Sequence, residues 1–272
     1  MNREEKITEL LKKEKYHFDD LVTIVAMLRS EGGCPWDIEQ THKSIRNDFI
    51  EETYEVIEAI DTDDPKLLRE ELGDVMLQVV FHARISEEDK VFTIDDVAND
   101  ICAKLIHRHP HVFGNVCAET PEEVLKNWDA IKSEEKSRVT VTDKLKSVPP
   151  MLPALMRATK VGKKAKCFDF PTAYDVLDKI SEELAEVSEA IEEGSNDHIS
   201  EEIGDLLLSI TSLCRKLGVD AEQALSGATD KFISRFEGVE NCVLAQNKTM
   251  DDFTVEELDR IWAENKKKIN KI

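Results

Sequence analysis

The chain has 272 residues, enough for one or two domains, and carries 57 Asp and Glu against 36 Lys and Arg, a net charge of −21. That excess excludes a broad nucleic-acid surface, which needs a basic stripe. It leaves open a small polyanion bound through cations and local basic groups.

Gly and Pro are scarce, at 10 and 8, and apolar residues recur at helical rather than alternating spacing, so an all-α protein is expected. Residues 1–17 read as a charged leading helix and 18–30 as an amphipathic one, broken by the loop Glu31-Gly32-Gly33-Cys34-Pro35-Trp36-Asp37. Helices follow over 41–60 and 67–87, with Pro65 at the turn between them. Thr93 or Asp95 caps a helix running to His107, His109 to Gly114 form a loop, and a further helix runs from Pro121 through Trp128 to Lys136. The stretch 137–152, closed by Pro149, Pro150 and Pro153, reads as a linker between a first unit (1–136) and a second (153–272). The second unit repeats the scheme with helices over 153–165, 172–193, 197–216, 219–244 and 254–270. No apolar run reaches the roughly 18 residues of a membrane span, and the first residues are charged and amphipathic rather than a cleavable leader. Six cysteines without close pairing indicate neither a disulfide framework nor a zinc site, so a reducing cytoplasm is expected.

One acidic constellation occurs twice. Glu52, Glu55, Glu71 and Asp74 recur, each 131 positions later, as Glu183, Glu186, Glu202 and Asp205. Residues three apart share a helix face, so each copy offers a carboxylate pair on each of two adjacent helices. Acids are dense enough here that isolated pairs mean only solvated faces, and the weight lies on the repetition of four positions. The second pair of each copy heads an apolar run, Val75 to Phe81 or Leu206 to Ile210. Helices apolar all round are buried, and buried carboxylates must be protonated, paired or metal-bound. Four carboxylates between antiparallel helices make a hard-cation site, suited to Mg²⁺ with Mn²⁺ as substitute. Gly73 and Gly204 stand at one position between the third and fourth acids, which implies either a tightly packed helix or a ligand close to the backbone.

Basic pairs repeat too: Lys104 with Arg108, and Lys231 with Arg235, four apart on one helical face after each acidic set. Metal-holding carboxylates beside a Lys and an Arg describe a phosphate site. A ferritin-like di-iron centre needs a Glu-x-x-His from each of two helices. Only Glu39 with His42 has that form, outside the acidic set. A non-catalytic helical module that binds a metal or a partner is the remaining alternative, and it leaves the duplicated acids unexplained. The apolar runs exceed what one small bundle readily hides, so a symmetric dimer is expected.

The runs Gly33-Cys34-Pro35-Trp36-Asp37-Ile38-Glu39-Gln40-Thr41-His42, Glu51-Glu52-Thr53-Tyr54-Glu55-Val56, Arg108-His109-Pro110-His111-Val112-Phe113 and Leu152-Pro153-Ala154-Leu155 strongly resemble the two-domain MazG nucleoside triphosphate pyrophosphohydrolases across nearly the whole chain. The resemblance implies a tandem repeat of all-α NTP pyrophosphatase units, Mg²⁺ dependence, a homodimer, and hydrolysis of (d)NTPs, ATP among them, to the monophosphate and pyrophosphate. Carried over by position, it implies that Glu183, Glu186, Glu202 and Asp205 are catalytic metal ligands. Nucleotide contacts then fall on Lys179, Glu182 and Glu183, on His198 and Glu201, on Lys231 and Arg235, and on Trp262. Relatives usually show Gly-Phe-Asp-Trp where this chain has Cys167-Phe168-Asp169-Phe170, and His198 stands where a lysine can be found; both bear on the wall that contacts the base. Asp48 holds the place of Lys179 in the first copy. The second copy is therefore expected to carry most of the turnover, with the first binding metal or nucleotide more weakly, supporting the dimer, or acting on fewer substrates.

Overall fold

The computed structural model describes residues 2–135 and 140–269, and no strand occurs among them. The chain divides into two compact units, one through Lys132 and one from Ser133 onward.

In the first unit, α1 (Arg3–Leu11) and α2 (Phe18–Leu28) are separate helices. The expected leading helix stops early because His17 and Asp20 close a capping box that starts α2. A short α3 (Pro35–Glu39) takes up the end of the expected loop and runs two residues past it, with Pro35 in its first turn. The next helix, expected from residue 41, begins only at α4 (Arg46–Asp61), because Thr41 and Ser44 trade side-chain and backbone hydrogen bonds in a turn of their own. Asp63, in the left-handed region at φ 53°, reverses the chain into α5 (Pro65–Glu88), whose cap Asp64 accepts from the amides of Lys66 and Leu67. Pro65 is thus the first residue of the helix rather than part of the turn. The bulk of the unit's core is Val25 from α2, Ile45, and Val80, Phe81 and Ile85 from α5. Arg29 ties this core to the loop before α4: it pairs with Glu88 at 2.8 Å, lies over the Phe81 ring and donates to the carbonyl of Gln40 at 3.0 Å. After α6 (Ile94–Arg108), capped by Thr93, the expected His109–Gly114 loop contains a single helical turn, α7 (Pro110–Phe113), and α8 (Pro121–Glu135) follows. The expected unit boundary at residues 136 and 137 lies outside the described residues.

In the second unit, the stretch expected to be a linker folds in part as α9 (Val141–Lys146), capped by Thr140 and packed on α10 (Ala154–Lys164), with Val148 buried. Its main pair is α11 (Ala173–Glu193) against α12 (Asn196–Leu217), joined through Gly194 at φ 72°. Glycine there is the helix-ending residue that a side chain would strain. Helices α13 (Ala221–Leu244) and α14 (Val255–Ile269) pack on each other.

One expectation fails in each unit. The apolar runs are not wholly buried: Leu72, Met76, Leu207, Leu208 and Ile210 are exposed, while the buried residues of α12 are Ser209 and Thr211. The small polar side chains allow close packing within the unit, and the leucines face out.

Candidate active site

Helix pairing brings three carboxylates of each copy together. Glu52 and Glu55 lie one turn apart on α4 and meet Glu71 from α5, with one oxygen of each within 4.8 Å of the others. Glu183 and Glu186 on α11 meet Glu202 from α12 within the same limit. The fourth acid of each set does not join the trio: Asp74 is half-buried and Asp205 is exposed. Asp74 still lies near, since its charge is the largest electrostatic contribution to Glu52.

The deeper acid differs by copy, Glu71 at 9% exposure in the first and Glu183 at 4% in the second, and each copy satisfies its burial differently. In the first copy, burial above all, then the neighbouring acids Asp74, Glu55 and Glu71, push the Glu52 carboxyl up to about 7. Burial and Glu55 raise Glu71 as well. In the second copy, Lys179 Nζ lies 2.8 Å from Glu183 Oε1 and 2.8 Å from Glu182 Oε1, contacts that raise the lysine's pKa. His198 bridges from Glu193 (Nδ1, 2.8 Å) to Glu202 (Nε2, 3.1 Å). Its imidazolium is favoured chiefly by the hydrogen bond to Glu193. Glu186, which has no such partner among the described residues, is raised by burial.

Among the expected nucleotide contacts, the structure thus brings Lys179, Glu182, Glu183 and His198 to the acidic cluster. Glu201 is exposed on α12. Lys231 and Arg235 lie on α13 and Trp262 on α14; no hydrogen bond or ion pair among the described residues joins them to the carboxylates. Trp262 lines an aromatic cavity of about 310 Å³ with Phe232, Phe236 and Val239, in which Phe232 and Trp262 have ring centroids 5.1 Å apart. Arg235 Nε is buried with no hydrogen-bond partner among the described residues. In the first copy the matching Arg108 is buried, 5.4 Å from the Trp128 ring.

Sequence reading missed the clamp on the Cys167 to Phe170 segment. Asp169 binds Arg215 at 2.9 Å and Lys216 at 3.0 Å, holding its carboxyl well below the usual range, and Phe168 is left 89% exposed. The partners are 46 residues apart, so no local spacing announces them.

Comparison with known proteins agrees with this geometry. The MazG nucleotide pyrophosphohydrolase domain matches residues 40–113 and again 172–239. The chain is 43% identical over 251 residues to the nucleoside triphosphate pyrophosphohydrolase/pyrophosphatase MazG of Thermotoga maritima, spanning 92% of this chain and 95% of that protein. It is 42% identical over 254 residues to the nucleoside triphosphate pyrophosphohydrolase of Escherichia coli K12, spanning 92% and 97%. The Mycobacterium tuberculosis protein of the same name is 36% identical over 82% of this chain and 58% of its own length. With its domain matched twice, each time across a set of converging carboxylates, the chain belongs to the MazG nucleotide pyrophosphohydrolase family.

Proposed function

We propose that the protein is a divalent-cation-dependent nucleoside triphosphate pyrophosphohydrolase that converts a (d)NTP and water into the (d)NMP, pyrophosphate and a proton. The observation that carries this reading is the doubled trio of carboxylates, Glu52, Glu55, Glu71 and Glu183, Glu186, Glu202, each with oxygens within 4.8 Å. An oxygen-only donor set of this compactness suits Mg²⁺, with Mn²⁺ as substitute, and offers nothing to softer ions. Asp74 and Asp205 stand one turn further along the same helices and complete each proposed ligand set. When bound, the cation supplies charge neutralisation and Lewis-acid polarisation of phosphoryl oxygens.

The chain's own residues do the rest. Lys179 and His198 sit on the carboxylates where the triphosphate would approach, and Lys231 and Arg235 offset charge on its oxygens. Glu182 and Glu201 flank these positions. Phe232 and Trp262 offer ring faces against which any base can stack. The exposed leucines of α5 and α12 support a homodimer. Six free cysteines suit a reducing cytoplasm, and no helix is long and apolar enough to cross a membrane. The net charge of −21 disfavours nucleic acid as a partner.

The test is a product assay over a panel of triphosphates with Mg²⁺. Monophosphate and pyrophosphate are the expected primary products, and activity should vanish with chelator. Orthophosphate and a diphosphate as primary products would refute the reaction.

A further inference from the structure

Two of the three converging carboxylates in the second copy already hold side-chain cations. Lys179 Nζ is 2.8 Å from Glu183 Oε1, and His198 Nε2 is 3.1 Å from Glu202 Oε1. Neither contact is loose, because Lys179 is also anchored on Glu182 and His198 on Glu193, both at 2.8 Å. At the same positions, 131 residues earlier, the first copy has Asp48 and Leu67. No ion pair among the described residues reaches Glu52, Glu55 or Glu71. The carboxylate geometry is alike in the two copies, so what distinguishes them is which cation each site comes with.

We propose that Lys179 and His198 make cation uptake at the second copy conditional on nucleotide, whereas the first copy takes a divalent cation unaided. This rests on the reading of both clusters as divalent-cation sites. A metal entering the second copy competes with Lys179 Nζ and His198 Nε2 for Glu183 and Glu202, so it must displace both donors or crowd against them. Displaced into water, those two side chains lose their hydrogen bonds to the carboxylates. A triphosphate removes that penalty, since its oxygens accept the same donors while the metal takes the carboxylates. Metal and nucleotide therefore bind the second copy cooperatively, and by linkage each raises the affinity for the other by the same factor. In the first copy no side-chain cation has to leave. Asp48, which disfavours a triphosphate, adds to the attraction for a bare cation, so the substitution expected to weaken this copy weakens its hold on nucleotide while strengthening its hold on metal.

The experiment is a titration of the full chain with Mn²⁺, read by the paramagnetic resonance signal of free Mn²⁺, without nucleotide and with an ATP analogue whose α–β bridge is methylene. Without analogue, one tight class of site per chain is expected, lost in Glu52→Ala/Glu55→Ala and kept in Glu183→Ala/Glu186→Ala. Analogue should create a second class that only the latter pair removes. Lys179→Ala/His198→Leu should tighten nucleotide-free Mn²⁺ binding at the second copy by at least tenfold. The reverse change, Asp48→Lys, tests the same idea without touching the second copy and should weaken nucleotide-free binding at the first by a similar factor. Equal affinity of the two copies without analogue, or no response to either set of substitutions in folded protein, overturns the proposal. Absence of Mn²⁺ binding both with and without analogue overturns instead the reading of the clusters as cation sites, and this proposal with it.

Discussion

At the scale of single residues, the same buried-acid problem has two solutions with opposite pH signatures. Glu52 titrates near 7 in the fold, above its unfolded value, so its contribution to stability is fully present below about pH 4.5 and is lost as pH rises through 7. Metal-free protein is therefore expected to lose thermal stability between pH 5 and 8. Glu52→Gln should remove part of that slope and raise the pH 8 melting temperature by about 2–4 °C; an unchanged slope in chelator, followed by calorimetry, refutes the assignment. Asp169 has the opposite sign. Its folded pKa is depressed by Arg215 and Lys216, so its contribution is present above the unfolded value of about 3.9 and is lost as pH falls through the folded pKa. Asp169→Asn should lower stability at pH 7, since it leaves two cations without their partner, and denaturant unfolding measures this directly. Glu183→Ala should remove most turnover while circular dichroism stays near wild type; wild-type rates in a pure sample would reassign the ligand.

At the scale of elements, the two interior glycines sharpen a question that sequence leaves open. A mid-helix glycine costs about 1 kcal/mol against alanine. A Cβ at Gly73 or Gly204 meets nothing within 4 Å, so no helix of the same unit requires either glycine. What remains is a ligand or a second copy. Gly204→Ala is expected to lower activity several-fold without lowering helicity, and wild-type kinetics in this variant would show that nothing approaches the backbone there. The helix pairs α4 with α5 and α11 with α12 were legible because their carboxylates recur at one offset, and spacing of three fixes the face. Which acids converge was only partly legible: Asp74 and Asp205 share the spacing of the others, yet neither joins the trio. Spacing gives a direction around a helix, not the depth at which a side chain ends. Boundaries slipped where local side-chain bonds outweighed periodicity, as at Thr41 and Ser44 before α4 and at His17 before α2. The clamp of Asp169 on Arg215 and the tie of Arg29 to Glu88 span 46 and 59 residues, and such contacts carry no periodic signal.

At the scale of the whole molecule, each unit leaves apolar side chains of a carboxylate-bearing helix uncovered, Leu72 and Met76 on α5 in the first and Leu207 at 46% and Leu208 at 48% exposure on α12 in the second. Exposed leucines in a row are a surface for association, so light scattering is expected to give about twice the 30.9 kDa chain mass at micromolar concentration; a fully active monomer would refute the dimer. The proposed ranking of the two copies rests on charge. In the second, Lys179 stands one helical turn before Glu183 and the Phe232 and Trp262 rings line a cavity on α13 and α14. The first has Asp48 at the lysine's place and Arg108 buried against Trp128. Replacing a cation by an anion beside a triphosphate is worth about 1–3 kcal/mol in a partly buried site, or roughly 5- to 150-fold in affinity. Glu183→Ala/Glu186→Ala in the full chain should therefore abolish nearly all turnover across several triphosphates. Glu52→Ala/Glu55→Ala should keep the larger share, reduced only as far as the first copy's own reaction or its support of the dimer contributes. If the first pair leaves activity intact and the second abolishes it, the ranking is inverted, and the charge at position 48 does not decide which copy turns substrate over.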